Sequence, residues 1–465
     1  MRRTLIAVTA VAALVVGYGA ADAYDRVPGV LTIDEEVTRE VPEEPKTTPV
    51  LPAASTKAPL PTTQGITAAI GKDATSDALG KRVGVVVRDA LTGDVLYSRG
   101  EDRAQTPAST AKLLTAAAVA ERTDLTKTMR TTVVQGEQPD ELVLVASGDT
   151  MLAAGTGDPT AVEGRAGLTD LAEEVAASLG SKGGEKLSLR LDATHAAGQR
   201  YAPTWEMADV AAGYTQGVSM IGLAGDRPEP GKASPKVPER KTLRTFAKEL
   251  KKAGVDVSVD DSSRTWQTPA PEDAEEFGGV ESAPLGDVLA LALDDSDNAL
   301  TENVARQAAV ADGAGSSFAE VADWVEKSLE GAGIDLTGVR LRDSCGLSSG
   351  QVIPARVVSD VMQLGITGSA TSLTTILAEL PVAGLSGTLH DRFLEGDSAS
   401  AAGIARAKTG TLTGTSGLAG TTTTADGRLL TYVILADRVP DTTGTLGARE
   451  VLDRMVADLT ACGCR

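Results

Sequence analysis

The stretch that decides the fold is "PASTAKLLTAAAVA", Pro107–Ala120, an alanine- and leucine-rich run of strong helix formers. It predicts a helix from about Ser109 to Arg122. Residues three apart share a helix face, so Ser109 and Lys112 stand side by side. Read in isolation, the pair is an N-capping serine and an exposed lysine. Read as chemistry, it is a weak nucleophile with a base in reach, provided that burial or nearby cations lower the lysine pKa. The start of a helix also favours a developing oxyanion. Lys112 is the only lysine with a serine three positions before it, and the chain has two histidines, His195 and His390, neither in a nucleophile context. A Ser-His-Asp arrangement therefore fits poorly, as does a His-rich metal site, and neither metal nor cofactor is expected.

Two further motifs shift the balance toward chemistry. "DDSDNAL" contains Ser296-Asp297-Asn298, and asparagine occurs elsewhere only at Asn303. Ser296 and Asn298, two apart between helices, can both face one cleft, the hydroxyl relaying a proton and the carboxamide holding a carbonyl or orienting Lys112. By itself this tripeptide reads as a helix cap. "ARAKTGTLTGTSGL" carries the chain's only Lys-Thr-Gly, Lys408-Thr409-Gly410, before a terminal hairpin. On an edge strand Gly410 would let a substrate backbone approach and pair, while Lys408, Thr409 and Thr411 offer a cation and two hydroxyls to a carboxylate. Alone, it reads as a turn entering a hairpin.

In the order Ser-x-x-Lys, Ser-Asp-Asn, Lys-Thr-Gly, the three form a combination that resembles the penicillin-binding proteins and active-site-serine β-lactamases. From Ser109 to Ser296 is 187 residues. That long insertion resembles the D-alanyl-D-alanine carboxypeptidase/endopeptidase family, the DacB type of low-molecular-mass class C penicillin-binding protein, as do "LVASGDTML", "LPVAGLSGTLHDRF" and "AKTGTLTGTSGLAG". The resemblance runs from about Gly65 to Ala461. It implies an α+β fold, an antiparallel sheet flanked by helices with an all-helical region beside it and an inserted α+β domain. It also implies a serine DD-peptidase acting on the D-Ala-D-Ala bond of peptidoglycan stem peptides through an acyl-enzyme, with β-lactam antibiotics as covalent inhibitors.

The roles implied are Ser109 as nucleophile, Lys112 as base, Ser296 and Asn298 as relay and positioner, and Lys408, Thr409, Gly410 and Thr411 as the carboxylate-binding strand. The N–H groups of Ser109 and Thr411 would form the oxyanion hole. Where the family usually has Asp-Gly-Ser-Gly-Leu, this chain has Asp343-Ser344-Cys345-Gly346-Leu347. Two alternatives share the scaffold. One is a β-lactamase or esterase, which needs a well-placed base for deacylation; no such carboxylate is identified, Glu302, six residues after Ser296, being as open to a helix-surface position. The other is a catalytically weak penicillin-binding sensor.

Outward from the motifs, "KRVGVVVRDALTGDVLYSRGE" predicts a hairpin turning at Thr92-Gly93-Asp94, and Thr415 to Arg438 a second, turning at Ala425-Asp426-Gly427. With a last helix from about Gly447 to Ala461, both chain ends are expected to build one sheet. The domains read as 1–23 signal peptide or anchor, 24–64 Pro/Thr-rich stalk, 65–125 and 282–465 catalytic domain, and 126–281 insertion. The basic run from Lys232 to Lys252 reads as the solvated face of a helix.

With 44 Lys plus Arg against 64 Asp plus Glu, the net charge is −20, and aromatics make up 3%. Such a chain lacks the surface of a nucleic-acid binder. An extracytoplasmic location follows from the leader, with membrane contact only through that segment if it is uncleaved. Of the three cysteines, a bridge from Cys345 to Cys462 or Cys464 is favoured because it would pin the chain end, a tight 462–464 pair being the other choice.

Overall fold

The computed structural model describes residues 55–180, 183, 186–367 and 371–464. The expected leader over 1–23 and most of the stalk over 24–64 lie outside them. In chain order the first elements are helix α1 (Thr63–Ala74), strands β1 (Arg82–Asp89), β2 (Val95–Arg99) and β3 (Ala104–Gln105), and helix α2 (Lys112–Arg122). Then come β4 (Arg130–Gln135), β5 (Glu141–Val145), α3 (Leu168–Leu179), β6 (Leu187–Asp192), α4 (Met207–Ala211), α5 (Pro238–Lys252), β7 (Val257–Val259) and β8 (Glu276–Glu281). Helices α6 (Leu285–Asp294), α7 (Asn298–Ala311) and α8 (Phe318–Gly331) precede β9 (Ile353–Pro354), α9 (Ala355–Thr367) and α10 (Thr371–Ala378). Strands β10 (Arg406–Leu412), β11 (Thr415–Thr423), β12 (Leu429–Asp437) and helix α11 (Gly444–Ala461) complete the order.

The central sheet has the order β10-β11-β12-β1-β2, with every pairing antiparallel. Both chain ends thus share one sheet, because β1 pairs with β12 from Arg82 opposite Asp437 to Asp89 opposite Leu430. The side-chain period of two sends alternate residues to opposite faces. Val83, Val85, Val87, Tyr432 and Ile434 face a core shared with α1 and α11, while Val86, Val433 and Leu435 face the core of α2, α6, α7, α8 and α9. A sheet buried on both faces reads as a continuous apolar run, and "VGVVV" is one.

Helix α2 is buried along Lys112 to Val119, its alanines letting neighbours approach from every side. A second five-stranded sheet, β7-β6-β5-β4-β8, lies wholly within residues 126–281; β5, β6 and β7 run parallel, and β4 pairs antiparallel with β5 and β8. Helices α3 and α5 cover it through Leu171, Val175, Leu243, Phe246 and Leu250. The basic face of α5 is solvated, and its charges meet acids: Lys241 with Asp226, Arg244 with Asp261, Lys252 with Glu249.

Two expectations are corrected. Cys462 pairs with Cys464, while Cys345 is buried and free; its carbonyl faces Lys112, in a different core from the one that Cys464 touches. The end of the expected stalk is also structured. Ser55 donates its N–H to the Gly427 carbonyl, Arg428 donates to the Thr56 and Ala58 carbonyls, and Thr62 caps α1 by accepting from the Gly65 N–H.

Candidate active site

The turn that carries Ser109 is a short 3-10 segment, Ala108–Ala111, running into α2. Ala108 has φ +47°, a left-handed conformation that non-glycine residues rarely adopt. It is held from both sides. Gly346, at φ +94°, lies so close that a Cβ there would sit 1.9 Å from the Ala108 carbonyl oxygen. A Cβ on Gly410 would sit 2.8 Å from the Pro107 carbonyl oxygen. The lack of a side chain at Gly410 therefore seats β10 against the serine turn, a correction to the reading that it makes room for a substrate backbone.

Lys112 is 0% exposed. Its Nζ donates to the Asn298 Oδ1 at 2.5 Å and the Cys345 carbonyl at 2.8 Å, and contacts the Ser109 Oγ at 2.9 Å. Burial pulls its pKa below the ordinary lysine value, although the surrounding acids oppose this. Asn298 is the first residue of α7, which Asp297 caps through a bond from the Leu300 N–H, and its Nδ2 donates to the Tyr214 carbonyl at 2.8 Å. The second motif's asparagine is thus fixed between the lysine and the inserted region. Ser296, at φ +58°, lines the same cleft as Ser109 and Asn298.

Strand β10 is the free edge of the central sheet. The Ala407 N–H points off that edge to the Pro381 carbonyl, so by strand period Thr409 and Thr411 also turn their peptide groups outward. Thr409 donates its hydroxyl to Thr388 at 3.0 Å, and Thr409, Thr411 and Thr388 line the cleft, whose volume is about 1110 Å³. Lys408 is 0% exposed and donates to the Thr409 carbonyl at 3.2 Å; burial, then the charge of Lys112, hold its pKa well below the ordinary value.

The sequence reading assigns Glu302 no role. It lies one turn after Asn298 on α7, 2% exposed, not on the helix surface. Its Oε1 accepts from the Ser344 and Cys345 N–H groups at 2.7 and 2.8 Å, which aims the Cys345 carbonyl at Lys112. Burial, with the charge of Asp343, raises its pKa to about 8. Asp343 in turn accepts from Gly346, Ser348, Gln351 and the Trp205 indole. Glu302, Asp343 and Cys345 form the one cluster of metal-capable groups among the described residues. Its two carboxylates are engaged by these N–H donors, the bonding of a folded loop. The four-residue spacing from Asn298 was the available signal for Glu302, but spacing does not say which face is buried.

A serine hydroxyl against a desolvated lysine, beneath the edge strand of an antiparallel sheet with an all-helical region at its side, defines a penicillin-recognising serine hydrolase. The fold matches penicillin binding protein 4 of Haemophilus influenzae at TM-score 0.64, with 17% identity over 85% of this chain and 98% of that one. The chain is 33% identical to the carboxypeptidase DacB of Mycolicibacterium smegmatis, over 99% of this chain and 95% of the relative. It is 31% identical to the D-alanyl-D-alanine carboxypeptidase of an Actinomadura species, over 76% of this chain and 77% of the relative. The chain belongs to the D-Ala-D-Ala carboxypeptidase 3 (S13) family, which it matches over residues 66–236 and 226–460.

Proposed function

We propose that this chain cleaves the terminal D-Ala-D-Ala bond of peptidoglycan stem peptides, with Ser109 as nucleophile and Lys112 as base. The observation that carries the reading is the contact between a wholly buried Lys112 Nζ and the Ser109 Oγ at 2.9 Å. As an ammonium, Lys112 donates to all three of its neighbours; as a neutral amine, it donates to Asn298 and Cys345 and accepts from the serine hydroxyl. Burial favours the second state.

Ser109 Oγ then attacks the carbonyl of the penultimate D-alanine while its proton passes to Lys112 Nζ. The N–H groups of Ser109 and Thr411 receive the oxyanion. Collapse expels the terminal D-alanine, whose nitrogen takes up that proton through Ser296, leaving an ester on Ser109. Water then hydrolyses the ester. The hydroxyls of Thr409 and Thr411 hold the peptide's C-terminal carboxylate, and a β-lactam, which mimics the bond, acylates the same oxygen. The open cleft also suits a cross-linked strand, hence an endopeptidase activity. Action on peptidoglycan places the enzyme outside the cytoplasm, tethered only if its leader stays uncleaved. The β-lactamase alternative gains no deacylating base from Glu302, which is committed to two backbone N–H groups.

The test is the intact mass of the protein after incubation with a penicillin, beside Ser109→Ala. A one-equivalent adduct on the wild type alone, with D-alanine released from a D-Ala-D-Ala peptide, is expected. An unchanged mass with the antibiotic intact would sink the proposal, and with the antibiotic consumed it would restore the β-lactamase.

A further inference from the structure

Lys408 was expected to supply the cation for the substrate carboxylate. Its ammonium lies beneath β10 against the Thr409 carbonyl, fully buried, and does not line the cleft. Four other cations do: Arg227, Lys232, Arg392 and Arg449. Arg227 is paired with Glu163, Asp295 and Asp297, Lys232 with Glu229, and Arg392 with Asp453. Arg449 differs. Among the described residues its buried Nε meets no hydrogen-bond partner, and no carboxylate lies within ion-pair distance of it.

Its position follows from how α11 meets the sheet. Thr445 Oγ1 accepts from the Gly414 N–H at 3.1 Å and donates to the Leu412 carbonyl at 3.4 Å, tying the first turn of α11 to the end of β10. Arg449, four residues on, shares that helix face and lines the cleft with Thr411, Leu412 and Thr413. Asp391 shares this wall, beyond ion-pair distance.

We infer that Arg449 is the direct electrostatic anchor for the free carboxylate of the peptide's leaving residue, the role expected of Lys408. The inference rests on the acyl-transfer reading of Ser109. A guanidinium offers paired N–H donors that match a carboxylate, and one left unpaired in a cleft is free to take it. Lys408 then acts from below the strand, through the Thr409 peptide, and Thr409 and Thr411 supply the neutral bonds.

The experiment compares kcat and KM of the full chain for a diacyl-D-Ala-D-Ala peptide and for its C-terminal amide, in wild type, Arg449→Gln and Arg449→Lys. Expected is a loss in kcat/KM on the acid of about ten- to a hundredfold in Arg449→Gln, mostly in KM, with the amide changed less than about twofold. Arg449→Lys should recover part of the preference for the acid. Equal losses on acid and amide would assign Arg449 a structural role and overturn the inference, as would an undiminished acid preference in Arg449→Gln. If the glutamine variant fails to fold, an acid preference in Arg449→Lys equal to the wild type's overturns it, and a reduced one supports it. A wild type that cleaves neither peptide, releasing neither D-alanine from the acid nor D-alaninamide from the amide, overturns the acyl-transfer reading itself, and this inference with it.

Discussion

Lys112 sits where three acceptors meet, and that geometry serves an ammonium as well as it serves a base. What favours the base is burial, so the rate of acylation should rise with pH along a limb whose midpoint lies below the lysine reference of 10.5. Acylation by a penicillin measured across pH checks this; a midpoint near 10.5 would mean a solvated lysine. Glu302 acts one step further back, as a positioning residue. Glu302→Gln can keep an acceptor for the Ser344 and Cys345 N–H groups and should retain most acylation, whereas Glu302→Ala orphans two buried donors at about 1–3 kcal/mol each and lets the Cys345 carbonyl swing. The sign of the stability effect is fixed by the raised pKa. The wild type's stability relative to Glu302→Gln should be greatest below about 4.5, fall as pH rises, and level off above about 8. Denaturant melts of the two proteins at several pH values measure it.

At the scale of the element, the site is a meeting of three closely packed pieces. The serine turn is clamped between Gly346 and Gly410, α7 delivers Asn298 and Glu302 from one face, and β10 closes the cleft as an edge strand. Gly410→Ala brings a Cβ to within 2.8 Å of backbone, and strand and turn must part by a fraction of an ångström. A displacement of that order should cost on the order of a hundredfold in acylation, with the melting temperature little changed. Gly346→Ala is harsher, its Cβ landing 1.9 Å from the Ala108 carbonyl oxygen at a positive φ, and should lower both acylation and melting temperature. Kinetics and melts of the pair separate site geometry from stability.

Over the whole molecule, the central sheet is held between two cores. The one away from the site is closed by α1, whose Ile66 and Ile70 are fully buried beside α11. This explains why the predicted stalk ends before residue 64. Ile66→Ala with Ile70→Ala should cost about 2–5 kcal/mol per site while leaving the acylation rate of the folded protein unchanged, read by denaturant melts and penicillin binding. A buried pair of Asp89 with Arg428 fastens the segment before α1, since the same arginine donates to Thr56 and Ala58. Among the described residues, no helix is long and apolar enough to cross a membrane.

The sequence alone carried what depends on short-range pattern. Ser109 and Lys112 are neighbours because three residues of helix make them so, the two hairpins follow from alternation and turn residues, and the order of the three motifs led to the family. Tertiary structure decided what depends on which surfaces meet. Glu302 was open to a surface position until the Asp343–Leu347 loop folded over it, and Cys345 looked free to reach the tail until that loop placed its carbonyl on Lys112. Gly410 looked open to substrate until the serine turn filled the space. On the inference drawn above, Arg449 takes the carboxylate-binding role expected of Lys408, for the same reason. Composition gives each a charge, but burial and pairing, which are properties of packing between segments distant in the chain, determine which charge a ligand meets.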